Sequence, residues 1–172
     1  MQQMAETYKM DPSYNYEKSK RSLANRFLRS VSGSKDINTQ YRAALYLRLS
    51  RDDNNGSAES MSIQSQKLML TGYAEEHGYG VADTYIDDGY TGTNFERPNF
   101  KRMIEDIKQG RINMVITKDL SRLGRNYVMI GQYRDFFFPD YGVRYIAIND
   151  NYDSIEEDND IAPFKDILKL IY

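Results

Sequence analysis

From Tyr41 onward the chain changes hydrophobic period repeatedly, and that alternation restricts its possible folds more than any other feature. The stretch A-L-Y-L-R-L-S at 44–50 alternates with period two, which puts Leu45, Leu47 and Leu49 on one face of a strand over 42–49 and Tyr46, Arg48 and Ser50 on the other. A half-buried strand normally gives its second face to water, yet this second face ends on a hydroxyl beside a guanidinium, where the strand becomes a loop. A helical pattern over 61–77 carries Ile63, Leu68, Leu70 and Tyr73 and stops at His77-Gly78. V-A-D-T-Y-I at 81–86 reads as a second strand, and Pro98 opens a helix to 109 with Phe100, Met103, Ile104 and Ile107 on one face and Gly110 as its stop. The continuous apolar run I-N-M-V-I-T at 112–117 fits a strand buried on both faces. A helix over 126–138, a strand over 143–148 and a last helical pattern over 161–172 complete the series. Strand–helix alternation of this kind predicts right-handed crossovers and an α/β fold: an open, mainly parallel sheet of about four strands with flanking helices.

The rest of the 172-residue chain sets bounds on that domain. Residues 1–40 hold no sustained period; Leu23, Phe27 and Val31 could line one side of a short basic helix, but the segment reads as a flexible N-terminal extension. It carries seven Lys+Arg against four Asp+Glu, so the remainder is acidic within a net charge of −2. An acidic domain still binds phosphate where its arginines converge, but it holds DNA tightly only with help from another basic module. The absence of cysteine excludes disulfides, thiolate zinc sites and cysteine nucleophiles and suits a cytoplasmic location. No apolar run reaches transmembrane length, and no secretory signal core is visible.

Ligand sites of parallel α/β sheets lie at the carboxyl ends of the strands. Three loops leave those ends with hydroxyl or charged groups: Ser50-Arg51, Asp87 to Arg97, and Lys118 to Arg125. Arg48, Arg97, Arg122 and Arg125 converging there would surround a hydroxyl with planar cationic forks that match phosphate oxygens. The start of the adjacent helix would add N–H donors. A phosphoryl group is the implied substrate and Ser50 the attacker, although a free serine hydroxyl is a weak nucleophile. The chain's one histidine, His77, sits at a helix end beside a capping glycine and reads as a partner of the last carbonyls rather than a base. Taken alone, Ser121 reads as the N-cap of a helix in S-R-L-G-R-N.

Y-L-R-L-S at 46–50 resembles the nucleophile motif of serine site-specific recombinases. S-I-Q at 62–64, D-D-G-Y-T-G-T at 87–93, E-R-P-N-F at 96–100 and D-L-S-R-L-G-R-N at 119–126 match the catalytic domain of that family in order and spacing, so the resemblance covers 41–168. The last of these, with P-F-K-D-I at 163–167, looks more like the large transposases and integrases of mobile elements than the small resolvases. The resemblance implies a resolvase-like fold in which Ser50 attacks a DNA phosphodiester, forming a 5′-phosphoserine link and releasing a 3′-hydroxyl. It implies that Arg48, Arg97, Arg122 and Arg125 bind the phosphate, that Tyr46, Gln64, Asp87 and Thr91 support them, and that no metal or other cofactor takes part.

The partners implied are double-stranded recombination sites and further copies of the chain, dimers passing to a synaptic tetramer. Residues 41–160 are then the catalytic domain. Residues 161–172, with Ile161, Phe164, Ile167, Leu168 and Ile171 as an apolar stripe, begin a truncated oligomerisation helix, and the fragment is expected to be a monomer or weak dimer. Small resolvases carry Asp where this chain has Ser121, so that carboxylate's role does not transfer. Two other classes of function compete. A catalytically silent DNA-binding or assembly module would not need the intact serine and arginine set. A receiver-like phospho-acceptor domain, built on Asp52-Asp53, Asp87-Asp88 and Lys118-Asp119, would need an Asp where Lys118 ends the third strand.

Overall fold

Strand β1 (Arg42–Leu49) lies inside a five-stranded sheet of order β2-β1-β3-β4-β5. The computed structural model describes residues 40–49, 62–90 and 96–156. Ser50 and the polar loop after it, Thr91, the N-terminal segment with Leu23, Phe27 and Val31, and the stripe from Ile161 to Ile171 lie outside the described residues.

Helix α1 (Ile63–Glu76) joins β1 to β2 (Gly80–Asp88), and α2 (Pro98–Lys108) joins β2 to β3 (Met114–Thr117). Short helices α3 (Leu120–Leu123) and α4 (Tyr127–Gly131), a π-helical stretch over Gln132–Phe137 and α5 (Phe138–Asp140) then lead to β4 (Arg144–Ala147). A 3-10 turn at Ile148–Asp150 precedes β5 (Tyr152–Asp153). Strands β1 to β4 pair in parallel; β5 runs antiparallel to β4. The mainly parallel α/β sheet expected from the sequence is therefore present, with one additional edge strand. The β1→β2 step moves one way along the sheet and the next two steps move the other way. Right-handed crossovers then put α1 on one face and α2 to α5 on the opposite face.

The two cores follow the period of β1. Ala43, Leu45 and Leu47 pack with Leu70 and Ala74 of α1 and with Met114, Ile116 and Ile146. Ala44 and Tyr46 pack with Tyr85, Phe100, Met103, Val115, Phe138 and Tyr145. The second face of β1 is thus buried under α2 and not solvated, a correction to the half-buried expectation. All four residues of β3 are buried, as its apolar run predicts.

Both predicted glycine stops hold. After α1 the Gly78 N–H bonds to the Glu75 carbonyl (3.1 Å) and the Tyr79 N–H to that of Ala74 (2.8 Å), with Gly78 at φ 69°. Gly110 closes α2 in the same way, its N–H on the Ile107 carbonyl at 2.9 Å and φ 72°. His77 is the C-cap of α1, with Nδ1 2.8 Å from the Tyr73 carbonyl, in keeping with the capping role.

Leu68 departs from expectation. It is 77% exposed, while the buried stripe of α1 is Gln66, Leu70 and Ala74. Leu70→Ala is accordingly expected to cost about 2–5 kcal/mol of stability. Leu68→Lys should change it by no more than about 0.5 kcal/mol. Chemical denaturation of the two variants checks this.

Candidate active site

The direction of the connections reverses between β1 and β3, and the crevice outside their carboxyl ends is where an open α/β sheet binds ligands. Arg48, one residue before the end of β1, enters that crevice from the even-numbered face. It is fully buried, as is Arg97, the residue before Pro98 at the start of α2. Arg48 donates from Nε to the Arg122 carbonyl (3.3 Å), from Nη1 to that of Tyr90 (3.1 Å) and from Nη2 to that of Ser121 (2.9 Å). Arg97 donates to the Arg122 carbonyl (3.1 Å), the Leu123 carbonyl (2.5 Å) and the Tyr46 hydroxyl (2.9 Å). Its guanidinium lies over the Phe100 ring, 4.7 Å from the centroid. The two arginines share one acceptor and together bind the consecutive carbonyls of α3.

Arg122 returns the contact, donating from Nη1 to the Arg48 carbonyl at 2.7 Å. The same carbonyl accepts from Gln66 Nε2 at 3.3 Å, and the Gly89 N–H bonds to the Leu49 carbonyl at 2.7 Å. The backbone entering Ser50 is therefore held from α1, α3 and the end of β2. Tyr46 donates to Asp87 (3.0 Å), whose carboxylate also accepts the N–H groups of Asn99 (3.0 Å) and Phe100 (2.9 Å). Asp87 thereby caps the start of α2 and completes a relay from carboxylate to phenol to Arg97.

This crowding moves proton affinities. Burial, reinforced by the cations of Arg122 and Arg97, pulls the Arg48 pKa down to about 10. Burial lowers that of Arg97 as well. Burial raises that of Tyr46, and the neighbouring Asp87 adds to the rise, so Tyr46 keeps its proton and remains a donor. At neutral pH the site stays cationic.

The helix starts at this edge serve the protein's own carboxylates. The N-cap of α3 is Asp119, not Ser121; its Oδ1 accepts the Arg122 N–H at 3.1 Å, and the Leu120 N–H bonds to Asp150 at 2.6 Å. The expected supply of N–H donors from the helix after β3 is thus engaged within the fold.

The profile of the family described as "Resolvase, N terminal domain" matches residues 43–169. The chain belongs to the resolvase family. It is similar to the N-terminal catalytic domain of TP901-1 integrase, with 31% identity, a TM-score of 0.64, and coverage of 76% of this chain and 92% of that one. A resolvase family site-specific recombinase from Streptococcus pneumoniae superposes at 27% identity and a TM-score of 0.61, covering 76% of this chain and 87% of the other. A putative DNA recombinase of Bacillus subtilis is 33% identical over 82 residues, which is 48% of this chain but only 15% of that protein's length. The likeness to an integrase agrees with the D-L-S-R-L-G-R-N form of the third loop.

Within this resolvase-family domain, the residues singled out from the sequence divide into groups. Tyr46, Arg48, Asp87, Arg97 and Arg122 come together. Arg125 follows α3 on an exposed turn. Gln64 is exposed on α1, and the amide that reaches the β1 backbone belongs to Gln66, two residues on and nearly completely buried. Gln66 was hidden because apolar periodicity passes over a polar residue. Its place on the Leu70–Ala74 stripe, four and eight residues ahead, is the signal that could have found it. His77 lies at the amino edge of the sheet, stacked beside Tyr79 just before β2, on the side away from the arginine cluster.

Proposed function

We propose that this chain is the catalytic domain of a serine recombinase, with Ser50 as nucleophile, serving excision or integration of a mobile element. The observation that carries the reading is the meeting of Arg48, Arg97 and Arg122 at the carboxyl end of β1, immediately before Ser50 in the chain. In this mechanism the Ser50 Oγ attacks a DNA phosphorus. The bond from phosphorus to the 3′-oxygen breaks, and a 5′-phosphoserine forms. The serine gives up one proton and the 3′-oxygen takes one up. One phosphodiester replaces another, so the reverse attack by a 3′-hydroxyl rejoins strands without ATP.

The cations stabilise charge on the pentavalent phosphorus, with arginine forks matched to its equatorial oxygens. Arg122 is the half-buried member of the cluster, and in this reading it is the arginine that serves phosphate directly. Arg48 and Arg97 organise the loop that presents it. Arg125 and Thr91 complete the proposed set, and Gln64 remains a supporting position by its place in the motif. Double-stranded DNA and further copies of the chain, a dimer and then a tetramer, are the partners this chemistry needs.

The test is to incubate the chain with a double-stranded DNA library at low ionic strength, trap covalent complexes by denaturation and sequence the attached ends. Recurrent sites linked through the 5′ end support the reading; no adduct, or 3′ linkage, overturns it. Arg122→Ala should lower the yield about 10²-fold or more with the fold intact. Arg122→Lys should restore little, since a point charge does not replace a two-pronged donor.

A further inference from the structure

Asp119 organises the most exposed of the three clustered arginines. One oxygen of its carboxylate, Oδ1, takes three donors: the Arg122 N–H at 3.1 Å, the Arg122 Nε–H at 3.4 Å and the Ser121 hydroxyl at 2.5 Å. The Ser121 Oγ in turn accepts from Arg122 Nη2 at 3.3 Å. The guanidinium is thus gripped along its Nε–Nη2 edge by a carboxylate and a hydroxyl, while Nη1 is fixed on the Arg48 carbonyl. Behind it, the Asp119 backbone is pinned by the Thr117 hydroxyl on its carbonyl (2.9 Å), and Thr117 itself pairs with the buried Tyr145 hydroxyl at 2.9 Å. Lys118 adds a second cation 3.9 Å from the other carboxylate oxygen.

From this geometry we propose that Asp119 is a positioning residue for strand cleavage: its charge, relayed through Ser121, fixes the direction in which Arg122 presents its guanidinium to the scissile phosphate. The inference rests on the recombinase reading above. A cap alone needs only an oxygen acceptor, which Asn supplies as well as Asp. Orienting a cation along one edge needs the charge, because an ionised acceptor holds its donors about twice as strongly as a neutral one. Misalignment of a group that stabilises a transition state is expensive, up to about 10²-fold for a displacement of roughly 1 Å.

Asp119→Asn therefore separates the two roles. It keeps the helix cap and the thermal midpoint, and it is expected to lower adduct formation about 10- to 100-fold. The exchange Asp119→Ser with Ser121→Asp returns a carboxylate to the Nη2 side of Arg122 and should recover most of that loss. A second readout does not depend on cleavage. The Arg122 Nε–H proton, followed by NMR, should exchange with water more slowly than that of exposed Arg125, should speed up in Asp119→Asn, and should slow again in the exchanged variant. An Asp119→Asn chain that cleaves like the unsubstituted one overturns the proposal, as does an Arg122 Nε–H that does not respond to the substitution. If the unsubstituted chain forms no adducts, the recombinase reading fails, and the exchange rates still decide whether Asp119 orients Arg122.

Discussion

Ser50→Ala is expected to abolish covalent protein–DNA adducts while leaving non-covalent association with DNA unchanged. A methyl group cannot attack phosphorus, so the loss is complete rather than partial. Association survives because phosphate attraction comes from the arginines, which the substitution does not touch, and it should weaken steeply with added salt in both proteins. Among the described residues, three hydroxyls at this edge of the sheet that could compete for the role are engaged within the fold. Thr117 bonds to the Asp119 carbonyl and to Tyr145, Ser121 to the Asp119 carboxylate, and Tyr46 to Asp87. In the sequence Ser50 continues the even-numbered series of Tyr46 and Arg48, and that series is the reason it is put forward as the nucleophile. The measurement is denaturing electrophoresis of protein mixed with end-labelled DNA, with filter binding on the same samples. Adducts that persist in Ser50→Ala would move the nucleophile to another residue.

What was legible in the sequence follows from which physical signals are local. The period-two stretch around Leu45 and Leu47, the helical face of Phe100, Met103 and Ile107, and the glycine stops at Gly78 and Gly110 all reflect neighbouring residues, and each is found in the fold. The burial of Tyr46 and Arg48 was not readable, because their cover comes from elements distant in the chain, Phe100 of α2 over Tyr46 and the carbonyls of α3 around Arg48. The use of the arginines was only half readable. A guanidinium near a serine matches phosphate chemistry by residue type, but the groups that Arg48 and Arg97 hold here are mostly backbone carbonyls, which every residue possesses and no motif records. Strand β5 escaped for another reason. Two residues cannot display a period, and its pairing with β4 is secured by Arg144 with Asp153, an ion pair of part-buried groups drawn from an acidic stretch that reads as a loop. The single helix expected over 126–138 is instead a composite that runs from Tyr127 to Asp140 and widens to π geometry over 132–137. Apolar spacing does not separate α from π where aromatic residues crowd, as Tyr133, Phe137 and Phe138 do here.

Arg97→Ala is expected to destabilise the domain by about 3–5 kcal/mol, the range seen when one member of a buried charged set is removed. At roughly 2–4 °C per kcal/mol for a chain of this size, the thermal midpoint should fall by about 6–20 °C. The cost arises from what is left behind. The Leu123 carbonyl and the Tyr46 hydroxyl lose a buried donor, the shared Arg122 carbonyl keeps only the longer bond from Arg48, and Phe100 loses the cation over its ring. Asp87, still holding Tyr46 and the start of α2, loses the positive charge that balances it across the relay. Arg97→Met fills most of the vacated space without restoring a donor, so it should recover only the packing part of the loss. Arg97→Lys restores the charge and at most a portion of the donors. This ordering, Ala below Met below Lys below Arg, separates the anchoring role of Arg97 from any contact with phosphate, because melting curves are recorded without DNA. Adduct yields for these variants should be compared only at temperatures where each is folded. A midpoint for Arg97→Ala within about 2 °C of the unsubstituted chain, less than 1 kcal/mol by the same scale, would mean that the α3 carbonyls find water as readily as arginine, and would overturn the anchoring role of Arg97.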